Sequence, residues 1–449
     1  MITLCAPGLA ASEVANRVAS RSGAIWLTSP GGTHSECQRQ FVACDPVETV
    51  SGGTPEDLDA AWLRAQTRWR AVGEMPGPWL PVGMGYLGYD MAAQWMANSP
   101  DPRPSSDWPD NEVRFFDAVF VNALNLDGTN SCSIVAESET AARRLLERVT
   151  ATGSFRGEPT QIGAFTPVDH PKDYLDGVIR IIRYLNAGDA YQVNLARRLQ
   201  AVILSGSDRG VSLASRMASA APAPHGIWMG WSDGRFLLGN SPERFFRMGP
   251  PGEGRLIETS PIKGTRPRGI QPDAVVAAEL VGAKKDRAEH VMIVDLERND
   301  LGRVCVTGSV QVVQEAELLT LPTVHHLEST VRGTVRTDAT FPEIFRALFP
   351  GGSITGAPKR RAMQIIAELE SARRGPYTGC TGWFGAQGDL DLAIAIRTAV
   401  GEGQRLILWV GAGIVVDSSP DSELVETEDK ARAFMALAHG GGTSRDPRS

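Results

Sequence analysis

The chain has 449 residues, and 45 lysines and arginines against 52 aspartates and glutamates give it a formal net charge of −7. Hydrophobic residues make up 42% of the sequence and charged residues 22%, which is typical of a globular protein. The acidic balance argues against nucleic acid as the main partner, and the absence of a run of about 18 apolar residues argues against a membrane span. The length fits roughly three domains or one large β-rich domain.

Six cysteines are scattered along the chain without a C-x-x-C pair. This spacing supports neither a zinc site nor a disulfide framework, so we expect reduced thiols that mostly pack in the core. Residues 1–12 lack the basic segment of a signal peptide. Together these features predict a cytoplasmic protein.

The first third of the chain alternates short strands with helices. The pattern predicts strands at 23–27, 39–44 and 114–124 and helices at 55–71 and 138–149. The proline-rich residues 98–111 predict a surface loop, because proline cannot continue a helix or a central strand. Residues 151–166, rich in Gly, Thr and Pro, predict a connection between two halves.

The remainder, from about 167 to 437, has a denser pattern. The predicted helices are 172–186, 286–297, 342–349, 358–371 and 423–438. The predicted strands are 190–199, 226–231, 235–238, 255–259, 304–313, 390–399 and 405–416. Residues 439–449 predict a disordered tail. Strands and helices are mixed without regular βαβ spacing, so the pattern favours an α+β fold over a doubly wound sheet.

Three glutamates lie in the first turns of predicted helices. Glu289 is near the start of an otherwise apolar helix, and Glu423 and Glu426 are three apart on one face of the last helix. Interaction with the helix dipole explains such acids structurally and is by itself the more common reason for them. The functional alternative is a Mg²⁺ site, because Mg²⁺ takes one or two carboxylates together with water and an anionic substrate.

Two further residues have the chemistry of a nucleophile and an acid. Lys263 lies after a predicted strand in a turn with proline and glycine, where desolvation would lower the pKa of the amine and free it as a nucleophile. The alternative is a solvated loop lysine. Glu243 precedes Arg244 and two phenylalanines, so it is either a general acid of raised pKa or the ion-pair partner of a nearby arginine.

Two glycine-containing segments and a histidine pair complete the candidates. Residues 351–358 lead into a predicted helix and expose backbone N–H groups that suit an anion. Gly411 and Gly413 allow close approach to the backbone, although a lone Gly-x-Gly is usually a turn. His326, the second of two adjacent histidines, is either a proton donor or a packed core residue. Two histidines without further ligands do not make a zinc site.

In this order the motifs resemble the chorismate-utilising enzymes: anthranilate synthase component I, aminodeoxychorismate synthase component I, and the isochorismate and salicylate synthases. The segments that carry the resemblance are 188–195, 241–245, 261–266, 286–300, 324–327, 351–358, 396–398 and 411–430, with 43–46 and 83–90 in the N-terminal third. The resemblance implies a large two-sheet β-sandwich with outer helices. Residues 1–155 would be its N-terminal part, with the tryptophan pocket that relatives often have, and 165–438 its chorismate-binding region.

Two positions separate the members of this family. Isochorismate and salicylate synthases resemble one another in placing a lysine base where this chain has Gln192, which cannot act as a base. Anthranilate synthases typically carry alanine where this chain has Lys263, and aminodeoxychorismate synthases carry lysine. By resemblance, the chain would convert chorismate and ammonia to 4-amino-4-deoxychorismate, with Lys263 attacking ring C2 and Glu243 as general acid. The alternatives are an anthranilate synthase that carries Lys263 and a non-catalytic scaffold for a glutamine amidotransferase.

The resemblance also implies the rest of the site. It implies Mg²⁺ on Glu289 and Glu426, with Glu423 beside them. The residues that it implies for substrate binding are Ser353, Tyr377, Arg397, Gly413 and His326. The sequence has no glutaminase motif, so ammonia would come from solution or from a separate glutamine amidotransferase subunit in a heterodimer.

Overall fold

The computed structural model describes residues 2–6, 8–28, 39–71, 79–96, 103–104, 107–124, 130–151, 157–269, 272–321 and 324–439. Within these ranges the strands form two antiparallel sheets of thirteen and ten strands. The chain is therefore rich in long-range strand pairing, and strands from the first third share both sheets with strands from the rest, as in the pairing of residues 81–87 with 380–385.

The strands are β1 (Ile2–Cys5), β2 (Ile25–Thr28), β3 (Arg39–Ala43), β4 (Glu48–Ser51), β5 (Pro81–Leu87), β6 (Asn111–Phe115), β7 (Ala118–Leu124), β8 (Asn130–Ala136), β9 (Gln161–Ile162), β10 (Thr166–Pro167), β11 (Gln192–Ser205), β12 (His225–Gly230), β13 (Phe236–Ser241), β14 (Arg244–Met248), β15 (Leu256–Ser260), β16 (Ile262–Pro267), β17 (Gln311–Thr320), β18 (Val324–Thr334), β19 (Gly356–Ala357), β20 (Cys380–Gly385), β21 (Leu390–Ile394), β22 (Thr398–Glu402) and β23 (Arg405–Ile414). The helices are α1 (Ala11–Val18), α2 (Pro55–Arg70), α3 (Ala93–Met96), α4 (Glu139–Thr150), α5 (Pro171–Asn186), α6 (Val211–Ala220), α7 (Asp273–Gly282), α8 (Lys284–Gly302), α9 (Phe341–Leu348), α10 (Lys359–Leu369) and α11 (Pro420–Met435), with 3₁₀ turns at Tyr89–Ala92 and Ala436–His439.

The two sheets pack face to face, and helices cover their outer faces. The first sheet has the order β1-β8-β7-β3-β2-β12-β13-β22-β23-β11-β10, with β9 and β19 also paired with β11. The second has the order β16-β18-β15-β14-β21-β20-β5-β6-β4, with β17 also paired with β18. Between them, Ile227 and Met229 of the first sheet pack with Met84 and Tyr86 of the second. Helices α1, α4, α6 and α11 share a core with the first sheet, and α2 and α9 share one with the second. The predicted α+β sandwich with outer helices is confirmed.

Local sequence explains where several helices begin. The Thr54 hydroxyl accepts a hydrogen bond from the Asp57 N–H, and the Asp57 carboxylate accepts one from the Thr54 N–H, which is a capping box at the start of α2. The Ser138 hydroxyl accepts from the Ala141 N–H at the start of α4. The helices predicted at 55–71 and 138–149 are therefore confirmed almost residue for residue.

The described chain passes from one sheet to the other six times, and two of the predicted strands are wrong for this reason. Residues 116–117 join β6 of the second sheet to β7 of the first, and 395–397 join β21 of the second to β22 of the first. The single strands predicted at 114–124 and 390–399 are thus each two strands in different sheets. Both halves of each run are largely buried, so their hydrophobic pattern does not reveal the crossing. A further short crossing is at 242–243, between β13 and β14.

The strand predicted at 304–313 is also wrong, because most of that segment forms turns and β17 begins at Gln311. Val304 and Cys305 are apolar because they pack in the core below the second sheet. The five cysteines in the described ranges are unbonded thiols. No helix in those ranges is long and apolar enough to cross a membrane. Half of the predicted loop at 98–111, and all of the predicted tail beyond residue 439, lie outside the described residues.

Candidate active site

Two adjacent sheet crossings bring Glu243 and Arg397 together. The β13–β14 crossing carries Glu243 and the β21–β22 crossing carries Arg397, and these strands pair within each sheet. The Asn240 N–H donates to the Arg397 carbonyl over 3.0 Å, and the Ile394 N–H donates to the Glu243 carbonyl over 3.0 Å. Arg397 has a left-handed φ of 49°, which the reversal between sheets imposes on its backbone.

Lys263 reaches from the second sheet to the first at Gly413. Gly413 of β23 lies directly opposite Asn194 of β11. A Cβ built on Gly413 would lie 3.2 Å from the Lys263 amine and 3.2 Å from the side-chain nitrogen of Gln192. Glycine at this position therefore leaves the space in which the amine and the Gln192 amide meet.

The alternative of a solvated loop lysine is not what the structure shows. Lys263 lies in β16, and its amine is 3.2 Å from the Glu289 carboxylate of α8. The two side chains are only 21% and 16% exposed. The turn character predicted from the sequence appears as a register shift between Lys263 and Thr265, where Gly264 has a φ of 68°.

Glu243 is a buried carboxyl of raised pKa. It accepts a hydrogen bond of 2.7 Å from the Ser353 hydroxyl and a further one from the Ile262 N–H. Burial raises its pKa to about 7, although the Ser353 hydrogen bond and the charges of Lys263 and Lys430 act in the opposite direction. At neutral pH the group therefore exchanges a proton readily, as a general acid must.

The competing explanation for Glu243 was an ion pair with a neighbouring arginine. Arg244 instead binds Asp391, with nitrogen–oxygen distances of 2.9 and 3.1 Å. Within the described ranges no arginine forms an ion pair with Glu243. The hydrogen bond from Ser353 brings the glycine-rich segment before α10 to this carboxyl, which a sequence separation of 110 residues concealed.

His326 is a neutral, buried histidine beside the site. Its Nδ1 lies 3.0 Å from the Gly264 carbonyl and 3.0 Å from the Thr265 hydroxyl. Because a carbonyl only accepts, we assign the proton to Nδ1. Burial, with the charge of Arg397, lowers the pKa of His326 to about 3. Its Nε2 is buried and has no hydrogen-bond partner in the described ranges.

Arg397 contributes a guanidinium to the site, and Tyr377 contributes a hydroxyl carried on a stacked aromatic ring. Burial lowers the pKa of Arg397 to about 10, and the Glu243 charge opposes this, so the guanidinium remains charged at neutral pH. Its side chain forms no hydrogen bond with another described residue. Tyr377 is buried and stacks on Trp409, with ring centroids 5.8 Å apart and planes 10° apart. An unpaired guanidinium of this kind suits a carboxylate ligand.

The Gln192 side chain indicates that a polar ligand or water binds at the site. The side chain is fully buried, and neither its amide oxygen nor its amide nitrogen has a hydrogen-bond partner among the described residues. Leaving such groups unpaired costs about 1–3 kcal/mol each, so native proteins satisfy them with water or ligand. Sequence reasoning used Gln192 only to exclude a base and missed this role.

The three predicted metal-binding glutamates do not form one cluster of ligands. Glu289 pairs with Lys263, and Glu426 pairs with Lys430 at 2.7 Å. Glu423 is buried beside Tyr174, whose pKa both Glu423 and Glu426 raise after the larger effect of burial. In the described part of the chain no group of three acids, histidines or cysteines is placed to hold a metal. A pair of carboxylates still fits Mg²⁺, which completes its shell with water and substrate oxygens.

Lys430 was missed by sequence reasoning. Its amine donates to the Gly411 carbonyl over 2.8 Å and pairs with Glu426 one helical turn earlier. The four-residue spacing of the acid and the lysine on α11 was the available signal. Lys430 therefore ties α11 to β23 close to Gly413 and adds a positive charge near Glu243.

A separate cavity of about 370 Å³ lies away from these residues. Phe41 and Trp79 of the N-terminal part line it together with His225, Arg244 and Trp383. None of the predicted catalytic or metal-binding residues lines it. The tryptophan pocket expected in residues 1–155 stays a prediction.

Comparison with known proteins identifies the family. A family model described as chorismate binding enzyme matches residues 22–436. Anthranilate synthase component 1 of Streptomyces coelicolor is 37% identical over 390 residues, which cover 82% of this chain and 75% of that protein. Aminodeoxychorismate synthase of Streptomyces pristinaespiralis is 44% identical over 269 residues, which cover 59% of this chain and 36% of that protein.

A solved structure shares the fold. Anthranilate synthase component I from Streptococcus pneumoniae superposes with a TM-score of 0.73 at 28% identity, covering 89% of this chain and 92% of that one. The family match spans nearly the whole chain, and the two relatives carry different names for their activities. The chain belongs to the family of chorismate-binding enzymes.

Proposed function

We propose that this enzyme converts chorismate and ammonia to 4-amino-4-deoxychorismate, as component I of an aminodeoxychorismate synthase. The observation that carries the proposal is the Lys263 amine, which is held against Gly413 and Gln192 at the junction of the two sheets. An amine at this point can act as a covalent nucleophile, which divides one difficult substitution into two easier ones. The similarity to the Streptomyces pristinaespiralis enzyme supports the same activity.

The first step forms a carbon–nitrogen bond and releases water. The Lys263 amine attacks ring C2, the two ring double bonds shift, and the C4–oxygen bond breaks. Glu243 gives its proton to the departing hydroxyl. In the second step ammonia attacks C4, the double bonds shift back, and the C2–nitrogen bond to Lys263 breaks. The sum is chorismate plus ammonia giving 4-amino-4-deoxychorismate plus water.

The proton balance assigns two states to Glu243. Lys263 attacks as a neutral amine and keeps both of its protons in the adduct, so that it leaves again as the neutral amine in the second step. The hydroxyl that leaves C4 needs one proton. Glu243 starts protonated and donates this proton, and its carboxylate then takes one back from the nitrogen that ammonia brings to C4, since at a pKa of about 7 both forms are populated at neutral pH.

The unpaired polar groups of the site suit the substrate dianion. Arg397, with the Tyr377 hydroxyl and the Gly413 backbone, would hold the enolpyruvyl carboxylate, because a guanidinium binds a carboxylate with two hydrogen bonds. Ser353 and Gln192 would contact the ring. His326 is neutral and leaves Nε2 as an acceptor, and we give it a place beside the enolpyruvyl group without a catalytic step.

Mg²⁺ and a partner subunit complete the proposal. Glu289 and Glu426 would hold the ion with Glu423 beside them, and when bound the ion would neutralise the ring carboxylate of chorismate. Ammonia would come from solution or from a separate glutamine amidotransferase subunit in a heterodimer. The Mg²⁺ site is proposed from the family resemblance and from these three carboxylates, and the partner subunit from the family resemblance alone.

The second candidate function is anthranilate synthesis, which the relative from Streptomyces coelicolor favours. Chorismate, Mg²⁺ and an ammonium salt are incubated with the protein, and the product is identified by mass. Anthranilate fluoresces directly, whereas aminodeoxychorismate requires a lyase before it yields an aromatic product. A scaffold without catalysis would form neither product and would not require Mg²⁺ to bind chorismate.

The lysine adduct is tested without ammonia. Mass spectrometry of the intact protein with chorismate should show the mass of chorismate less one water added to the wild type. Lys263→Ala should show no adduct. Lys263→Arg is the matched control, since it keeps the charge beside Glu289 but lacks a nucleophilic amine, and it too should show none. An adduct that persists in Lys263→Ala would refute the nucleophile.

A further inference from the structure

Arg374 is a fully buried arginine whose five N–H groups all have acceptors. Its side chain and that of Glu370 are 0% and 1% exposed. The guanidinium donates to the Glu370 carboxylate at 3.0 and 2.7 Å, to the Ile354 carbonyl at 2.9 Å, to the Asn194 carbonyl at 3.0 Å and to the Thr378 hydroxyl at 3.1 Å. An arginine has five donors, so none is left for substrate.

One acceptor belongs to the segment that carries Ser353. Ile354 is the next residue, and its carbonyl is held by the Arg374 Nη1. Ser353 in turn donates to Glu243 over 2.7 Å. The guanidinium therefore holds the residue next to the hydroxyl that donates to the buried acid.

A second acceptor belongs to the strand that carries Gln192. Asn194 of β11 is two residues further on, on the same face of the strand. It lies directly opposite Gly413 of β23, where the Lys263 amine approaches. Glu370 holds the same strand, since its carboxylate accepts the Ala196 N–H over 3.0 Å.

The third acceptor belongs to the turn that carries Tyr377. Thr378 follows it with a left-handed φ of 59°. The guanidinium carbon lies 5.9 Å from the Tyr377 ring centroid, within the range of a cation–π contact. Arg374 therefore constrains both the position of Tyr377 and the orientation of its ring.

We infer that Arg374 is a positioning residue, whose guanidinium fixes the relative placement of the three segments that present Ser353, Gln192 with Gly413, and Tyr377 to the substrate. The inference rests on the proposed function in so far as these groups hold chorismate. No other contact in the described ranges joins all three segments through one side chain. Lysine cannot replace this arrangement, because its three donors radiate from a single nitrogen and cannot span acceptors on three segments.

The test compares Arg374→Lys with a matched control, Arg114→Lys. Arg114 is also buried, donating to the Glu112 carboxylate and to the Ala24 and Gly230 carbonyls, none of which lies in a segment that carries a proposed site residue. Both variants should lower the unfolding temperature. Only Arg374→Lys should lower kcat/KM for chorismate strongly, by about 100-fold, which is the loss expected of misplaced binding groups. It should also raise the pH at which activity declines, as we expect for removal of the Ser353 hydroxyl.

A milder variant keeps the inference testable if Arg374→Lys does not fold. Thr378→Val keeps the side-chain shape, removes one acceptor of the guanidinium and leaves the others in place. It should raise KM for chorismate about fivefold, as expected for one hydrogen bond, and leave the pH dependence unchanged. An unchanged KM in Thr378→Val would overturn the inference. Equal losses of activity in Arg374→Lys and Arg114→Lys would overturn it as well.

The product tests the proposed function separately. If the wild type forms anthranilate, the assignment to aminodeoxychorismate fails. The comparison of the arginine variants still decides the role of Arg374 in that case, because chorismate is the substrate of both reactions.

Discussion

Ser353→Ala removes one hydrogen bond from the carboxyl that we propose as the general acid. The Ser353 hydroxyl donates to Glu243 over 2.7 Å and so favours its ionised form. Burial already raises the pKa of Glu243 to about 7, although the charges of Lys263 and Lys430 lower it. Of the other neighbouring charges, Arg397 favours the ionised form of Glu243 and Glu297 disfavours it. Without the Ser353 donor the pKa should rise further.

The size of the change follows from the strength of the bond. A hydrogen bond to a charged group contributes about 1.5–3 kcal/mol. Since about 1.36 kcal/mol corresponds to one pKa unit, the pKa of Glu243 should rise by about one to two. A general acid works in its protonated form, so activity declines as the pH rises through this pKa. The decline should therefore move to higher pH by about the same amount.

The assay is kcat/KM for chorismate across the neutral and alkaline range, with the concentration of free ammonia held constant. Ser51→Ala is the matched control, because Ser51 donates to the carboxylate of Glu112, away from the site, at 3.5 Å. Its profile should coincide with that of the wild type. A Ser353→Ala profile that declines at the wild-type pH, or at a lower pH, would show that Glu243 is not the acid.

Three further predictions follow from the same contacts. Gly413→Ala should lower kcat about tenfold with little change in unfolding temperature, because the new Cβ at 3.2 Å displaces the Lys263 amine, and steady-state kinetics with thermal unfolding checks this. Burial and the nearby charge of Asp300 raise the pKa of Glu297 to about 8, although the Lys359 charge opposes this. The folded state should therefore lose stability as the pH rises from the ordinary glutamate range to about 8. Glu297→Gln should reduce this loss, measured by urea unfolding across that pH range. Mg²⁺ should raise the unfolding temperature of the wild type, and Glu426→Gln should diminish that rise; an equal rise in both would contradict a role of Glu426 in metal binding.

The motifs visible in the amino-acid sequence were sufficient to identify the family. Lys263, Glu243 and Ser353 are recognisable because each stands in a distinctive local segment, and the family match over residues 22–436 supports that recognition. Helix starts such as the Thr54 capping box were also predictable, since the residues involved are neighbours in the chain. The choice between an aminodeoxychorismate and an anthranilate product remains a matter for the assays above.

Local patterns could not reveal where the chain changes sheet. At 116–117 and 395–397 the flanking residues are as apolar as in a continuous strand, and what ends β6 and β21 is their pairing with β5 and β14, which are separate segments of the chain. The same limitation applies to Arg374, which is conspicuous only once its acceptors on three segments are known. Hydrogen-bond partners of this kind have no periodic signal in sequence.

The amino-acid sequence alone determined which reactive groups this protein has: the Lys263 amine, the carboxyls proposed as acid and as metal ligands, and the Arg397 guanidinium. It also determined the glycines, such as Gly413, that leave space beside them. Tertiary packing decided their charge states and their mutual distances. Glu243 has a pKa of about 7 because it is buried at the β13–β14 crossing. There it accepts a hydrogen bond from Ser353, which lies 110 residues further along the chain. Burial and proximity are properties of the folded arrangement, and they arise only when both sheets are assembled.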